Sequence, residues 1–158
     1  MKLTKHQKNK LLGLDISGKG GKDAEIAAAL GFSRKSSKFY DAVDDVGRKW
    51  EFKKQQHCQF LDPYKFAQMT KEERGIQILF FMHKKGKIVE IYKTTYNKLI
   101  KTMGYSAWDL KAIKRLYERK CFINRSNTQI KAELKPSEIR KFKLVWKKRR
   151  KNEKSYDN

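Results

Sequence analysis

Asp41, Glu51 and Lys53 lie within one short stretch of the sequence, DAVDDVGRKWEFK at residues 41–53. An Asp-Val-Gly run at 45–47 predicts a three-residue turn with glycine in the left-handed position, so the flanking residues pair as a β-hairpin. In that register Asp41 lies directly opposite Glu51, and directly opposed Cβ atoms are about 5 Å apart. Lys53 points to the same face as Glu51, because strand side chains alternate with period two. The hairpin is therefore predicted to gather both carboxylates and the ammonium on one face.

Such a group of side chains suits metal-assisted phosphate chemistry. Carboxylates this close repel each other, and a hard divalent cation such as Mg²⁺ would offset the repulsion. The main-chain carbonyl of Phe52 points sideways between its two neighbours and adds a candidate metal ligand to Asp41 and Glu51. A cation there orients water and stabilises charge on a phosphate, while Lys53 positions the water, helps to deprotonate it or neutralises the developing charge. An exposed hairpin with ordinary cross-strand charge pairs is the competing interpretation.

The surrounding sequence favours a buried sheet over a solvated hairpin. The opposite face of the hairpin receives core-type side chains, namely Tyr40, Ala42, Trp50 and Phe52. The first hairpin spans residues 39–56, and a second hairpin at 76–94 is apolar on both faces, which predicts a central place in a sheet. Caps, glycine stops and apolar periodicity predict helices at residues 2–14, 24–30, 63–74, 96–103, 107–120 and 136–154. The predicted fold is of the α/β (α+β) class, with a central mixed sheet of four to five strands, flanking helices and further helices at the C-terminal end.

The chain is short and strongly basic. It has 158 residues, with 39 Lys and Arg against 17 Asp and Glu, so the formal net charge is +22. This length predicts a single domain, residues 1–158, whose C-terminal part at 96–154 is basic and helical. The charge favours a polyanion, most often a nucleic acid, as the partner. Phosphate contacts are predicted for six cations of the C-terminal helices, Lys114, Arg115, Lys147, Lys148, Arg149 and Arg150.

Cysteine content and hydropathy predict the compartment. Two cysteines, Cys58 and Cys121, make no disulfide framework and suit a reducing environment. The first ten residues lack the apolar run of a secretory signal, and the longest apolar stretch, at 76–82, is too short to span a bilayer. We therefore expect a soluble, intracellular, cytoplasmic protein with no membrane partner. In a protein from a eukaryote or its virus, the KKRRK run at 147–151 would favour the nucleus.

Asp41 with Glu51-x-Lys53, on a hairpin that follows a helix and precedes a helix and two more strands, resembles the core of the PD-(D/E)xK nucleases. The stretch that contains these residues is, more narrowly, similar to the active-site segment of type II restriction endonucleases. The resemblance implies a restriction-endonuclease-like core in which Asp41 and Glu51 bind Mg²⁺ and Lys53 is the catalytic lysine. The resemblance implies that Glu25, on the helix before the hairpin, is the supporting acid that some members place there; a solvated acid near the helix N-terminus is the alternative. Tyr40 stands where the superfamily has the proline of its name.

This resemblance also carries expectations about function. It implies a homodimer that hydrolyses both strands of double-stranded DNA at a specific short sequence, with Mg²⁺ as the cofactor and one active site in each subunit. A nuclease of the same superfamily that reads DNA structure, such as a junction resolvase or a repair nuclease, would have the same core. A non-catalytic basic nucleic-acid-binding protein would account for the charge, but it would leave the face of Asp41, Glu51 and Lys53 unexplained.

Overall fold

The structure, a computed structural model, describes residues 1–18, 22–55, 59–120 and 133–150, with the backbone alone at 59 and 60. Its helices are α1 (Lys5–Leu12), α2 (Asp23–Leu30), α3 (Pro63–Gln68), α4 (Tyr96–Thr102), α5 (Ala107–Glu118) and α6 (Pro136–Ile139), with a 3₁₀ turn at Glu73–Gly75. Its strands are β1 (Ser33–Arg34), β2 (Ala42–Val43), β3 (Lys49–Gln55), β4 (Gln59–Phe60), β5 (Gln77–Lys84), β6 (Lys87–Thr95), β7 (Glu133–Leu134) and β8 (Lys143–Lys147).

Six of these strands form one mixed sheet in the order β1-β2-β3-β5-β6-β8. Neighbouring strands are antiparallel except β3 and β5, which are parallel and are joined through α3. Parallel neighbours need such a crossover, because a tight turn cannot return the chain to the same end of the sheet. β4 and β7 pair in a separate two-stranded sheet. The mixed sheet flanked by helices agrees with the predicted fold class, but within the described residues it has six strands rather than four to five.

Side chains of the central strands alternate between two buried clusters, one on each face of the sheet. On one face Trp50 and Phe81 pack with residues of α1 and α2. On the other face Ile78 and Phe80 pack with residues of α3, α4 and α5. Because helices cover both faces, β5 carries a nearly continuous apolar run, and its predicted central place in the sheet is confirmed.

The predicted three-residue turn of the first hairpin is confirmed. The backbone N–H of Asp44 donates to the carbonyl of Arg48 at 3.0 Å, which closes the turn. Gly47 adopts a φ of 84°, a left-handed conformation that costs little without a Cβ atom. Ala42 pairs with Trp50 across the hairpin, as the predicted register requires.

Two predicted helix starts are also confirmed. Asp62 accepts a hydrogen bond from the N–H of Tyr64 at 3.0 Å, and the proline between them is the first residue of α3. At the start of α5, the Ser106 hydroxyl accepts from the N–H of Asp109 at 3.1 Å, and the Asp109 carboxylate accepts from the N–H of Ser106 at 2.7 Å. Each bond joins residues within one helical turn, so the sequence spacing alone predicts it.

The helix predicted at 136–154 begins where expected, at Pro136, but the prediction is wrong for the described residues beyond Ile139. α6 ends at Ile139, and the segment Lys143–Lys147 forms β8, which pairs with β6. Without β8, the N–H and C=O groups on that side of β6 would lack strand partners, and pairing satisfies them. The helix predicted at 63–74 also differs, because α3 ends at Gln68 and a 3₁₀ turn follows.

None of the helices in the described ranges has both the length and the apolar composition that crossing a bilayer requires. Several residues singled out from the sequence lie outside the described residues: Cys58, Cys121, residue 56 of the first hairpin, and residues 151–154.

Candidate active site

The ladder between β2 and β3 ends at the pair Ala42–Trp50, one residue before the predicted Asp41–Glu51 pair. The backbone N–H of Asp41 instead donates to the carbonyl of Trp50 at 2.8 Å. Its side-chain Oδ2 accepts a hydrogen bond from the N–H of Phe52 at 2.8 Å. The carboxylate of Asp41 therefore lies over the main chain of β3, not in a direct cross-strand pair.

The irregular end of this ladder also changes the position of Tyr40. The alternation of a regular hairpin predicts Tyr40 on the same face as Ala42, Trp50 and Phe52. These three residues do share one buried cluster, but Tyr40 packs against the cluster on the opposite face of the sheet. The prediction is wrong for Tyr40 because regular pairing ends at Ala42.

Glu51, on β3, lies at the centre of a group of charged side chains. Only 8% of this residue is exposed, and its Oε1 lies 3.3 Å from the Nζ atom of Lys53 and 3.3 Å from the Nζ atom of Lys65. Lys65 comes from α3, and its Nζ also lies 5.8 Å from the ring centroid of Tyr96 on α4. One buried carboxylate is thus held by two ammonium groups from different elements.

Burial and charge together perturb Asp41. Burial and, as the next largest cause, the negative charge of Glu51 raise the pKa of Asp41 from its usual 3.8 to about 6. The hydrogen bond from the N–H of Phe52 opposes this increase, whereas the charge of Asp23 adds to it. The carboxylate of Glu51 is therefore close enough to Asp41 to disfavour the ionisation of Asp41.

The other titratable groups of the site respond to the same burial. Burial lowers the pKa of Lys53; the carboxylate of Glu51 opposes this effect, and the positive charge of Lys65 adds to it. Burial raises the pKa of Tyr96, and both carboxylates act in the same direction. The Tyr96 hydroxyl therefore stays protonated, and it donates to the carbonyl of Phe39 at 3.0 Å.

A second acid approaches Asp41 from α2. Asp23 is the first residue of this helix, and its Oδ1 forms an ion pair with the Nζ atom of Lys54 at 2.7 Å. The guanidinium of Arg34 lies between Asp23 and Asp41, at 4.0 Å and 3.8 Å from their carboxylate oxygens. This network holds Asp41 from the side of the sheet opposite Glu51 and Lys53.

Glu25, predicted as a supporting acid, lies on the exposed side of α2. It is paired with Lys22 at 3.7 Å. The acid that α2 places beside Asp41 is Asp23, whose charge raises the pKa of Asp41. The sequence does not separate the two acids, because both belong to the first turn of the helix.

The six cations predicted to contact DNA fall on two different elements. Lys114 and Arg115 are exposed on α5. Lys147 is the last residue of β8, and the next three residues, Lys148, Arg149 and Arg150, follow it as exposed coil rather than as part of a helix.

The oxygen atoms of this site suit a hard cation. The N–H and C=O groups of one strand residue point to the same side, so the carbonyl of Phe52 points toward Asp41, as its N–H does. The described residues contain no cluster of three or more His, Cys, Asp or Glu side chains arranged for a metal. Mg²⁺ is commonly held by one or two carboxylates and completes its shell with waters and phosphate oxygens. The carboxylates of Asp41 and Glu51 with the Phe52 carbonyl therefore fit Mg²⁺.

Lys65, Asp23 and Tyr96 are site residues that the sequence reasoning missed. Each reaches the site through tertiary packing, from α3, α2 and α4 respectively. The only available signal for Lys65 was its place in the helix after the hairpin, where a crossover has to return over β3.

No family model matches this chain, and no curated protein matches it either.

Divalent cations are expected to stabilise the protein through this site. At ten times its dissociation constant, Mg²⁺ adds about 1.4 kcal/mol to the free energy of unfolding, which for a chain of this size raises Tm by about 3–6 °C. Asp41→Asn removes one ligand charge and should abolish most of this increase. Thermal unfolding with Mg²⁺ and with EDTA measures the difference, and Asp45→Asn, in the exposed turn, is the matched control that should retain it. Equal stabilisation of Asp41→Asn and the control would contradict a metal site at Asp41.

Proposed function

We propose that this protein is a Mg²⁺-dependent endonuclease that hydrolyses phosphodiester bonds of double-stranded DNA at a specific short sequence, and that it acts as a homodimer like type II restriction enzymes. The observation that carries the proposal is the convergence of Asp41, Glu51 and Lys53 at the irregular end of the first hairpin, with the pKa of Asp41 raised by burial and by Glu51. The net charge of +22 supports a polyanionic substrate.

In this proposal the carboxylates of Asp41 and Glu51 and the carbonyl of Phe52 hold Mg²⁺. The bound ion supplies positive charge that stabilises the phosphate during in-line displacement. Water attacks the phosphorus and the O3′ atom departs, so the products carry 5′-phosphate and 3′-hydroxyl ends.

Lys53 is placed to act on the attacking water. Its Nζ atom lies 3.3 Å from Glu51, and burial lowers its pKa, which makes the neutral amine more accessible than in an exposed lysine. The amine therefore positions the water and accepts its proton. The ammonium of Lys65 stays beside the Glu51 carboxylate when Lys53 changes its protonation state.

Digestion of a long, sequenced linear duplex with Mg²⁺, followed by mapping of the ends, tests the proposed function. A sequence-specific enzyme produces discrete bands whose ends share one short sequence. Cleavage only at branches, flaps or mismatches would instead identify a structure-specific nuclease of the same superfamily. Absence of cleavage with Mg²⁺ and Mn²⁺ on all of these DNAs, together with unchanged DNA affinity in Asp41→Asn, would overturn the proposal in favour of a non-catalytic binding protein.

A further inference from the structure

A basic cavity lies at the edge of the sheet formed by β6 and β8. Its volume is about 720 Å³, within the range of roughly 300–1,000 Å³ that is typical of ligand pockets. One acidic residue, Glu90, lies in its wall. Six cationic residues line it: Lys84, Arg140, Lys147, Lys148, Arg149 and Arg150.

These cations come from three separate segments. Lys84 ends β5, Arg140 follows α6, and the others belong to the end of β8 and its continuation. The N–H of Lys148 donates to the carbonyl of Val89 at 2.9 Å, so the continuation of β8 remains attached to β6. Like charges gathered in one concavity repel each other. An anion bound among them would offset this repulsion.

Glu90 organises the cavity without neutralising it. Its buried carboxylate accepts hydrogen bonds from Nε and Nη2 of Arg140, at 3.2 Å and 3.0 Å from Oε2, and the Nζ of Lys147 lies 3.8 Å from Oε1. A guanidinium has five N–H donors, and the hydrogen bonds to Glu90 come from Nε and Nη2 of Arg140, so Nη1 lies outside this ion pair. Six cations and one carboxylate leave an excess of 6 − 1 = +5 around the cavity. Glu90 therefore anchors Arg140, while the cavity keeps a large surplus of positive charge.

The cavity is separate from the candidate active site. Glu90 pairs with Met82 on β5, and Met82 pairs with Gln55 on β3, four residues beyond Glu51. At about 3.3 Å per residue and about 4.8 Å per strand, the backbones of Glu51 and Glu90 are offset by roughly 13 Å along the strands and roughly 10 Å across them. A ligand in the cavity is thus held by residues that take no part in the proposed cleavage.

We propose that this cavity binds consecutive phosphates of a nucleic-acid strand. The inference rests on the proposed function for nucleic acid as the ligand, but it does not depend on cleavage. β8 ends at Lys147, and the coil that continues it carries Lys148, Arg149 and Arg150, so four successive cations follow one another along the chain, which suits the repeating charges of a strand better than a single compact anion. Such contacts hold the nucleic acid without reading its sequence.

Binding of a labelled 20-base-pair duplex to the full-length protein in EDTA, measured by fluorescence anisotropy at several salt concentrations, tests the proposal. The logarithm of the binding constant falls as the logarithm of the salt concentration rises, and each lost phosphate contact makes this negative slope shallower by about 0.9. Lys84→Gln should therefore reduce it by about 0.9, and Arg149→Gln with Arg150→Gln by about 1.8. The matched controls are Lys5→Gln, and Lys5→Gln with Lys10→Gln, on exposed positions of α1 at the other face of the sheet. We expect the control slopes to remain unchanged.

Equal effects of the cavity variants and the α1 controls would overturn the proposal, because the attraction would then follow net charge alone. An unchanged slope for Lys84→Gln would also overturn it, since the cations at residues 147–150 would then bind the duplex without the rest of the cavity. Inorganic pyrophosphate is the second probe. If it stabilises the wild type but not the cavity variants, while those variants bind the duplex normally, the ligand is a free polyphosphate and not a nucleic-acid strand. Failure of the nuclease proposal has a different signature: the duplex binds through the cavity but is not cleaved when Mg²⁺ is added.

Discussion

Lys53→Met is expected to reduce the rate of DNA cleavage by about 10²- to 10⁴-fold, the usual contribution of a group that transfers a proton in the transition state. The ammonium of Lys53 lies in the buried site against Glu51, where its pKa is lowered by burial. The variant should still fold, because Lys65 continues to pair with Glu51. Cleavage of a plasmid at saturating Mg²⁺ measures the rate, and binding in EDTA measures the affinity, which should change little.

Two further variants make this result specific. Lys49→Met removes the same charge from an exposed position at the start of β3, so its cleavage rate should stay near that of the wild type. Lys53→Arg keeps the positive charge but cannot lose a proton. It should therefore remain nearly as slow as Lys53→Met if Lys53 accepts a proton. Full cleavage by Lys53→Met would show that Lys53 has no part in the mechanism. Full cleavage by Lys53→Arg would show that Lys53 contributes only its positive charge and not proton transfer.

The second large effect is on stability. Asp41→Asn is expected to raise the free energy of unfolding at pH 7 by about 2 kcal/mol in the absence of divalent cations. The shift in the pKa of Asp41 from 3.8 to about 6 corresponds to about 3 kcal/mol, and partial solvent contact of the site reduces this to about 2 kcal/mol. An asparagine removes the unfavourable charge, and its side-chain oxygen still accepts the bond from the N–H of Phe52.

The gain in the free energy of unfolding from Asp41→Asn depends on pH. A carboxyl group whose pKa is higher in the folded state binds its proton more tightly there, so its contribution to stability is fully present below about pH 3.8 and is lost as the pH rises through about 6. The advantage of Asp41→Asn over the wild type should thus be near zero at pH 3 and reach its full value by pH 7. Urea unfolding in EDTA at a series of pH values measures it.

Asp44→Asn provides the matched control, with an effect of opposite sign. Burial alone would raise the pKa of Asp44, but hydrogen bonds outweigh it and hold the pKa below its usual value. Its oxygens accept bonds from the N–H groups of Val46 and Arg48, from the Arg48 guanidinium and from the Trp50 indole. An amide cannot accept all four, so this variant should lose about 1–3 kcal/mol. If Asp41→Asn loses stability in the same way, Asp41 is a structural acid, and its proposed place beside a metal has no support.

Locally determined features of the fold follow directly from the sequence. The turn that ends in Gly47 and the capping box of Ser106 and Asp109 depend on hydrogen bonds between residues within one turn, so residue type and spacing suffice to predict them. The period-two spacing of Glu51 and Lys53 likewise predicts that the two side chains share a face, and their 3.3 Å contact agrees with it.

The end of the first hairpin shows where local reasoning stops. A regular register predicts Asp41 opposite Glu51, but the ladder ends at Ala42, and the Asp41 carboxylate bonds to the N–H of Phe52. Tyr40 packs into the opposite cluster, and β3 pairs with β5 on its other side; both contacts join segments that are distant in the sequence, so residue spacing within the hairpin does not predict them.

By itself, the sequence determined the charge of the protein, the turn of the first hairpin, the helix starts and the shared face of Glu51 and Lys53. The tertiary structure alone decided that Lys143–Lys147 is a strand and that Lys65 reaches Glu51. Both outcomes depend on contacts between segments that are distant in the sequence. The apolar residues of the last segment fit a helix or a strand equally well, and hydrogen bonding along β6 selects the strand. Lys65 approaches Glu51 only because the crossover through α3 brings the chain back over β3.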